Sequence, residues 1–256
     1  RETVMFVLIL YSIVILNQCA WAGGGYCDIS SCGNKPHTMC QYPNSGPSSN
    51  CKNYEQAPLT SSERSAIVNR HNEFRKKIAN GLEKRGNPGP QPRAINMTML
   101  KWDDELATVA QRWADQCASG HDKCRDVDRF NVGQNIATAW STAKINKKIE
   151  DMVDGWYDEV KYFSRYWVDK YRFGMSWGHY SQVVWAKTLN VGCGQVKYWD
   201  TSRNMNTLRL ICNYGPAGNF LNQPVYISSA HCKDINQFVL LLPVLFCIKI
   251  REYLPV

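Results

Sequence analysis

Gly178-His179-Tyr180-Ser181-Gln182-Val183-Val184-Trp185 is the stretch on which the reading of the fold turns. Its aromatic and β-branched residues, bounded by Gly178 and by Lys187-Thr188, predict a strand over His179 to Trp185. Two further strands are predicted behind it, Val191 to Trp199 and Leu208 to Tyr214, and the short connection between them implies antiparallel pairing. Cys193 and Cys212 flank the loop Asp200 to Thr207 from either side, so closing that hairpin places them opposite each other, as a cross-strand disulfide requires.

Upstream the pattern is helical. Thr60-Ser61-Ser62-Glu63 reads as a capping box, and Ile67, His71, Phe74 and Ile78 follow at helical steps. Asn87-Pro88-Gly89-Pro90-Gln91-Pro92 breaks the chain, after which Asp103 can cap a helix carrying Leu106, Ala110, Trp113 and Cys117 along one side. A third helix is predicted across Ile149, Met152, Val153, Trp156 and Val160, with Glu159 beside its apolar stripe. Gly23 to Pro58, with four cysteines and Pro, Gly, Ser and Asn clusters, reads as a stapled, loop-rich arm.

The ends differ from this body. Met5 precedes an apolar run, Phe6 to Leu16, and then Ala20-Trp21-Ala22, which predicts a signal peptide cleaved after Ala22 and hence an extracellular, secreted protein. Eleven cysteines agree with an oxidising compartment. Residues 1–22 are therefore read as leader and signal peptide, 23–58 as the cysteine-rich arm, 59–226 as one domain and 227–256 as an atypical tail. The apolar run Phe238 to Ile248 in that tail contains Pro243, is short for a membrane span and is followed by charges, so a gene-model artefact is favoured over an anchor. With 30 Lys and Arg against 22 Asp and Glu, the formal net charge is +8, but the cations are scattered among acids, so no nucleic-acid partner and no stable membrane insertion are expected.

Gly178-His179-Tyr180-Ser181-Gln182-Val183-Val184-Trp185 and Cys212-Asn213-Tyr214-Gly215-Pro216-Ala217-Gly218-Asn219-Phe220 resemble the two signature strings of the superfamily of cysteine-rich secretory proteins, antigen 5 and plant pathogenesis-related 1 proteins. Asn69-Arg70-His71-Asn72-Glu73-Phe74-Arg75, Gln111-Arg112-Trp113-Ala114-Asp115-Gln116-Cys117 and Val132-Gly133-Gln134-Asn135-Ile136-Ala137 are similar to the venom antigen 5 branch of wasps and ants. The resemblance implies an α+β fold, a three-layer α-β-α sandwich with a central antiparallel sheet and a disulfide-stapled arm. It also implies a pairing that the residues alone leave open: Cys27 with Cys40, Cys32 with Cys124 and Cys51 with Cys117, beside Cys193 with Cys212.

The same resemblance places a cleft tetrad at His121, Gln134, Glu159 and His179, with Gln134 where most of the superfamily has an ionisable Glu. Gln can act neither as a general base nor as a charged metal ligand. His121 and His179 then admit two readings, a weak site for a divalent cation such as zinc or a structural hydrogen-bond network. Ser181 near His179 forms no proper catalytic triad, so the chain is expected not to be an enzyme, with a secreted hydrolase the weaker alternative. His71 reads as a core residue of its helix. The expected function is that of a secreted, non-enzymatic venom or salivary protein that binds a host protein or a small apolar, lipid-like ligand and requires no cofactor. The aromatics from Tyr157 to Trp177 are expected mostly to pack, and Asn96-Met97-Thr98 offers a glycosylation sequon at Asn96.

Overall fold

The computed structural model describes residues 25–55 and 57–229. The predicted signal peptide at 1–22 and all of the tail beyond residue 229 lie outside the described residues. Hydrogen bonding of the domain continues past Tyr226: Ile227 and Ser229 bond the backbone of Ile95 and Arg93, and Ser228 bridges Ala94.

Five strands form one sheet, β1 (Lys52–Glu55), β2 (Lys101–Trp102), β3 (Gly133–Ser141), β4 (Asn190–Asp200) and β5 (Met205–Gly215). The order is β1-β4-β5-β3, antiparallel throughout, with β2 pairing β4 in parallel. Alternation along the strands divides two cores. Val191, Cys193, Leu208, Leu210, Cys212 and Tyr214 face one layer of helices, while Val196 and Ile211 face the other.

The first layer holds α2 (Ser61–Ala79), α4 (Ile149–Asp158) and α5 (Gly178–Val183). Helix α2 begins on the capping box: Thr60 accepts from the Glu63 N–H, and the Glu63 carboxylate accepts from the Thr60 N–H at 2.8 Å. Its Ile67, His71, Phe74 and Ile78 are buried, as their spacing predicts. The second layer is α3 (Asp104–Ala114), capped by Asp103, with the arm packed beyond it. Helix α3 presses directly on β4, because a Cβ at Gly192 would lie 2.3 Å from Ala107 N and one at Gly194 2.4 Å from Gln111 Cα. Glycine is what lets helix and strand approach so closely.

Three predicted elements are corrected. His179 to Trp185 is not a strand, since Gly178–Val183 forms α5. Tyr180, Val183 and Val184 are all fully buried at the i, i+3, i+4 steps of a helix, and a short apolar run buried on every side does not distinguish helix from strand. The second helix stops at Ala114, and Cys117 lies beyond it with φ 51°. The third stops at Asp158, so Glu159 opens a 3-10 turn, Glu159–Tyr162. The arm is also more ordered than a loop, for it holds α1 (Thr38–Gln41) and supplies edge strand β1. Disulfides join Cys27 to Cys40, Cys32 to Cys124, Cys51 to Cys117 and Cys193 to Cys212, the last pair directly opposed in the β4–β5 register.

Candidate functional site

Strand β3 is an edge strand that lies against α4 and α5, and Gln134 near its start marks the position of the cleft that the resemblance predicts. Gln134 carries a divided amide. Its Oε1 lies 2.7 Å from His121 Nδ1, while its Nε2 donates to Asp122 Oδ1 at 3.2 Å and to Asn213 Oδ1 at 3.0 Å. With both amide hydrogens spent on oxygens, Oε1 is the acceptor, so His121 Nδ1 carries a proton and Nε2 keeps its lone pair. Asp122 is in turn fixed by Arg125 and by the Thr38 hydroxyl. A carboxylate at position 134 would face the carboxylate of Asp122, so the amide suits this neighbourhood electrostatically.

Opposite, His179 Nδ1 lies 2.6 Å from Glu159 Oε1, and Glu159 Oε2 accepts the backbone N–H of His179 at 2.9 Å and of Tyr180 at 3.2 Å. Glu159 thus satisfies the exposed N–H groups at the start of α5 as well as orienting the ring, which is the tertiary contact that turns this stretch into a helix. Trp156 stacks along the imidazole with centroids 6.3 Å apart, and Asn135 donates to the His179 carbonyl at 3.1 Å. Both imidazoles therefore have Nδ1 held and Nε2 unbonded among the described residues.

His121 is exposed as a residue, yet loss of hydration around its ring is the largest influence on it and holds its pKa below the ordinary value of 6.5. The Gln134 bond opposes this shift, while Arg125 and a charge on His179 add to it. The surroundings thus favour the neutral, ligating form at His121. Among the described residues, three His, Cys, Asp or Glu side chains converge on one point only at Cys32, Cys124 and Asp126, and both cysteines there are in a disulfide. No third protein ligand joins the histidine pair in that way.

Ser181 does not enter the cleft. It is fully buried, and its hydroxyl bonds Trp177 O, Gly178 O and Tyr171 Oη at 3.1 to 3.2 Å. On a helix, residues two apart point to different sides, so His179 cannot serve Ser181 as a base. His71 is fully buried, with Nδ1 2.8 Å from Ile67 O and Nε2 2.8 Å from Tyr214 Oη. Of the aromatic stretch, Tyr157, Phe163 and Tyr171 are core, whereas Tyr166 and Phe173 are exposed. Asn96 is half-buried, its Oδ1 accepting the Ile227 N–H at 2.8 Å. The supporting residues Asp122, Asn135 and Asn213 escaped the sequence reading, although Asp122 sits beside His121 and the other two lie in the quoted strings.

Comparison with known proteins gives this geometry its relatives. The cysteine-rich secretory protein family, CAP, matches residues 68–214. Venom allergen 3 of Solenopsis invicta is 47% identical over 207 residues, covering 78% of this chain and 88% of the relative. Venom allergen 5.02 of Dolichovespula maculata is 44% identical over 215 residues, covering 83% and 98%. Among solved structures, NaASP2 with Zn2+ superposes with a TM-score of 0.56 at 25% identity, covering 72% of this chain and 91% of that one. BmVAL-1 superposes with a TM-score of 0.54 at 30% identity, covering 67% and 84%. A family match that holds the whole of Gly178 to Trp185 and reaches the start of the Cys212 string, and close likeness over nearly the whole length of these relatives, make the chain a member of the CAP family of cysteine-rich secretory proteins.

Proposed function

We propose that this protein is secreted, of the venom antigen 5 type, and acts by binding a host protein or a small apolar ligand and not by catalysis. The observation that carries this reading is the state of the cleft: Gln134 is a neutral amide, Glu159 is committed to His179 and to two backbone N–H groups, and Ser181 is buried away from His179. A hydrolase needs a nucleophile within reach of its base, and no such pair faces this cleft among the described residues. The venom allergens it resembles and the four disulfides among the described residues support an extracellular location.

The test is turnover of a broad peptide and ester library by purified protein beside a His179→Ala variant. Equal, background-level rates are expected. Hydrolysis that disappears in His179→Ala alone would overturn the reading.

One observation favours a second role for the same cleft. His121 and His179 each present a free Nε2 while Nδ1 is held by Gln134 or Glu159, the orientation in which imidazoles ligate a metal. The NaASP2 relative was solved with Zn2+. A divalent cation held by His121 and His179 would be a Lewis acid coordinated mainly by water, and two neutral ligands without a protein carboxylate make its binding weak.

A further inference from the structure

Two arginines are buried in this domain, and they differ in what they touch. Arg75 is 0% exposed and donates to five backbone carbonyls, those of Thr98, Val183, Trp185, Ala186 and Thr188. Arg209 is 6% exposed, its Nε is shut off from solvent without a hydrogen-bond partner, and its guanidinium makes no hydrogen bond to a described residue. A buried N–H donor left without a partner is costly, so such a group calls for a ligand.

Arg209, in register with Thr138 of β3 and Val196 of β4, lines a cavity of about 550 Å³ on the face of the sheet that carries α3. That volume lies within the range of small-molecule sites. None of His121, Gln134, Glu159 and His179 lines this cavity, and Thr138 is four residues along β3 from Gln134, roughly 13 Å at strand rise. Lys52, Arg203 and Arg209 line it against a single carboxylate, Asp200. That carboxylate is already taken by Arg203 at 2.9 Å and by the Ser202 hydroxyl at 2.6 Å, and the Arg203 guanidinium lies 5.0 Å over the Trp140 ring. Lys52 is exposed at the mouth, on the edge strand supplied by the arm. The remaining wall is aromatic and hydroxylated, from Trp140, Tyr198 and Ser119 among others.

We propose that this cavity binds a small acidic saccharide, its carboxylate or sulfate on the Arg209 guanidinium with Lys52 as a second cation, and its ring against Trp140 and Tyr198. A guanidinium gives paired N–H donors to an oxyanion, aromatic faces take the C–H faces of a sugar, and wall hydroxyls exchange hydrogen bonds with its own. The placement of the site explains the arm as more than a staple: β1 carries Lys52 to the rim, and the Cys51–Cys117 disulfide sets the adjoining wall.

The experiment is calorimetry and ligand-observed NMR with glucuronic acid, N-acetylglucosamine 6-sulfate and neutral glucose, on wild type, Lys52→Ser and Arg209→Met. One or both acids should bind wild type at least tenfold more tightly than glucose and weaken with added salt. The acid that binds identifies carboxylate or sulfate as the anion. Arg209→Met should lose at least tenfold in affinity with a melting temperature no lower than wild type, because an unpaired buried cation is relieved. Lys52→Ser, a change at an exposed position that leaves folding intact, should lose a few-fold. The proposal is overturned if neither acid binds, if glucose binds as tightly, if both variants bind as wild type does, or if Arg209→Met melts well below wild type and so exposes a structural role.

Discussion

His71 and His179 stand on opposite sides of a divide that runs through this molecule. His71, on α2, is fully buried with both ring nitrogens bonded; His179, at the start of α5, is 32% exposed at its side chain, with one nitrogen held and the other open. The two rings are neighbours of one indole, for Trp156 lies 6.2 Å from His71, tilted to it, and 6.3 Å from His179, stacked on it. Proximity therefore does not separate structural from functional histidines. What separates them is whether the ring has bonding capacity left over: His71 has none, while Nε2 of His179 and of His121 stays open.

The sharpest way to break this comparison is at Arg75, one helical turn beyond His71 on α2. Replacing it with Met orphans carbonyls on two segments at once, Thr98 and the run from Val183 to Thr188, and should cost about 4 kcal/mol by denaturant unfolding. A loss under about 1 kcal/mol would mean that water replaces the guanidinium and that this core is not closed.

A smaller effect is expected from pH. Burial depresses the His71 pKa from 6.5 to about 4, with Arg75 adding to the effect and the Ile67 bond opposing it. The unfolded chain takes up its proton first, so the stabilisation is complete above about pH 6.5 and is lost as pH falls towards about 4, on the order of 3 kcal/mol in total. Unfolding free energies across that window should fall in wild type and fall less steeply in His71→Asn. The same slope in both proteins would place the titrating group elsewhere.

On the cleft side the effects are smaller and concern ligands. Gln134→Glu should lower stability by about 1 kcal/mol, since Asp122 loses a donor and gains a like charge 3.2 Å away. It should nevertheless strengthen zinc binding, because the new charge sits against Nδ1 of His121 and makes its open Nε2 the stronger donor to a cation. Titration calorimetry that finds equal zinc uptake in wild type, Gln134→Glu and a His121→Ala, His179→Ala double variant would assign any bound metal to another place and leave the tetrad as a hydrogen-bond network.

Much of this was legible before any fold was drawn. Helix α2 announces itself through Thr60, Glu63 and the spacing of Ile67, His71, Phe74 and Ile78, all local features. Hairpin arithmetic is enough to bring Cys193 opposite Cys212, because both lie on strands joined by one short turn. The α-β-α layering followed from resemblance, and so did the grouping of His121, Gln134, Glu159 and His179, residues too far apart in the chain for spacing alone to unite.

Tertiary structure decided the rest. Gly178 to Val183 carries residues suited to a strand and is a helix because the Glu159 carboxylate, from another element, accepts its first N–H groups while Tyr180, Val183 and Val184 fit between α4 and the sheet. Ser181, two residues from His179 in the sequence, is excluded as its partner by burial in that helix. Nothing in the one-dimensional pattern distinguishes Arg75, bonded to five carbonyls, from Arg209, bonded to none. Sequence periodicity reports which face a side chain takes; which partners wait there depends on segments brought together only when the sheet, its helices and the arm close around them.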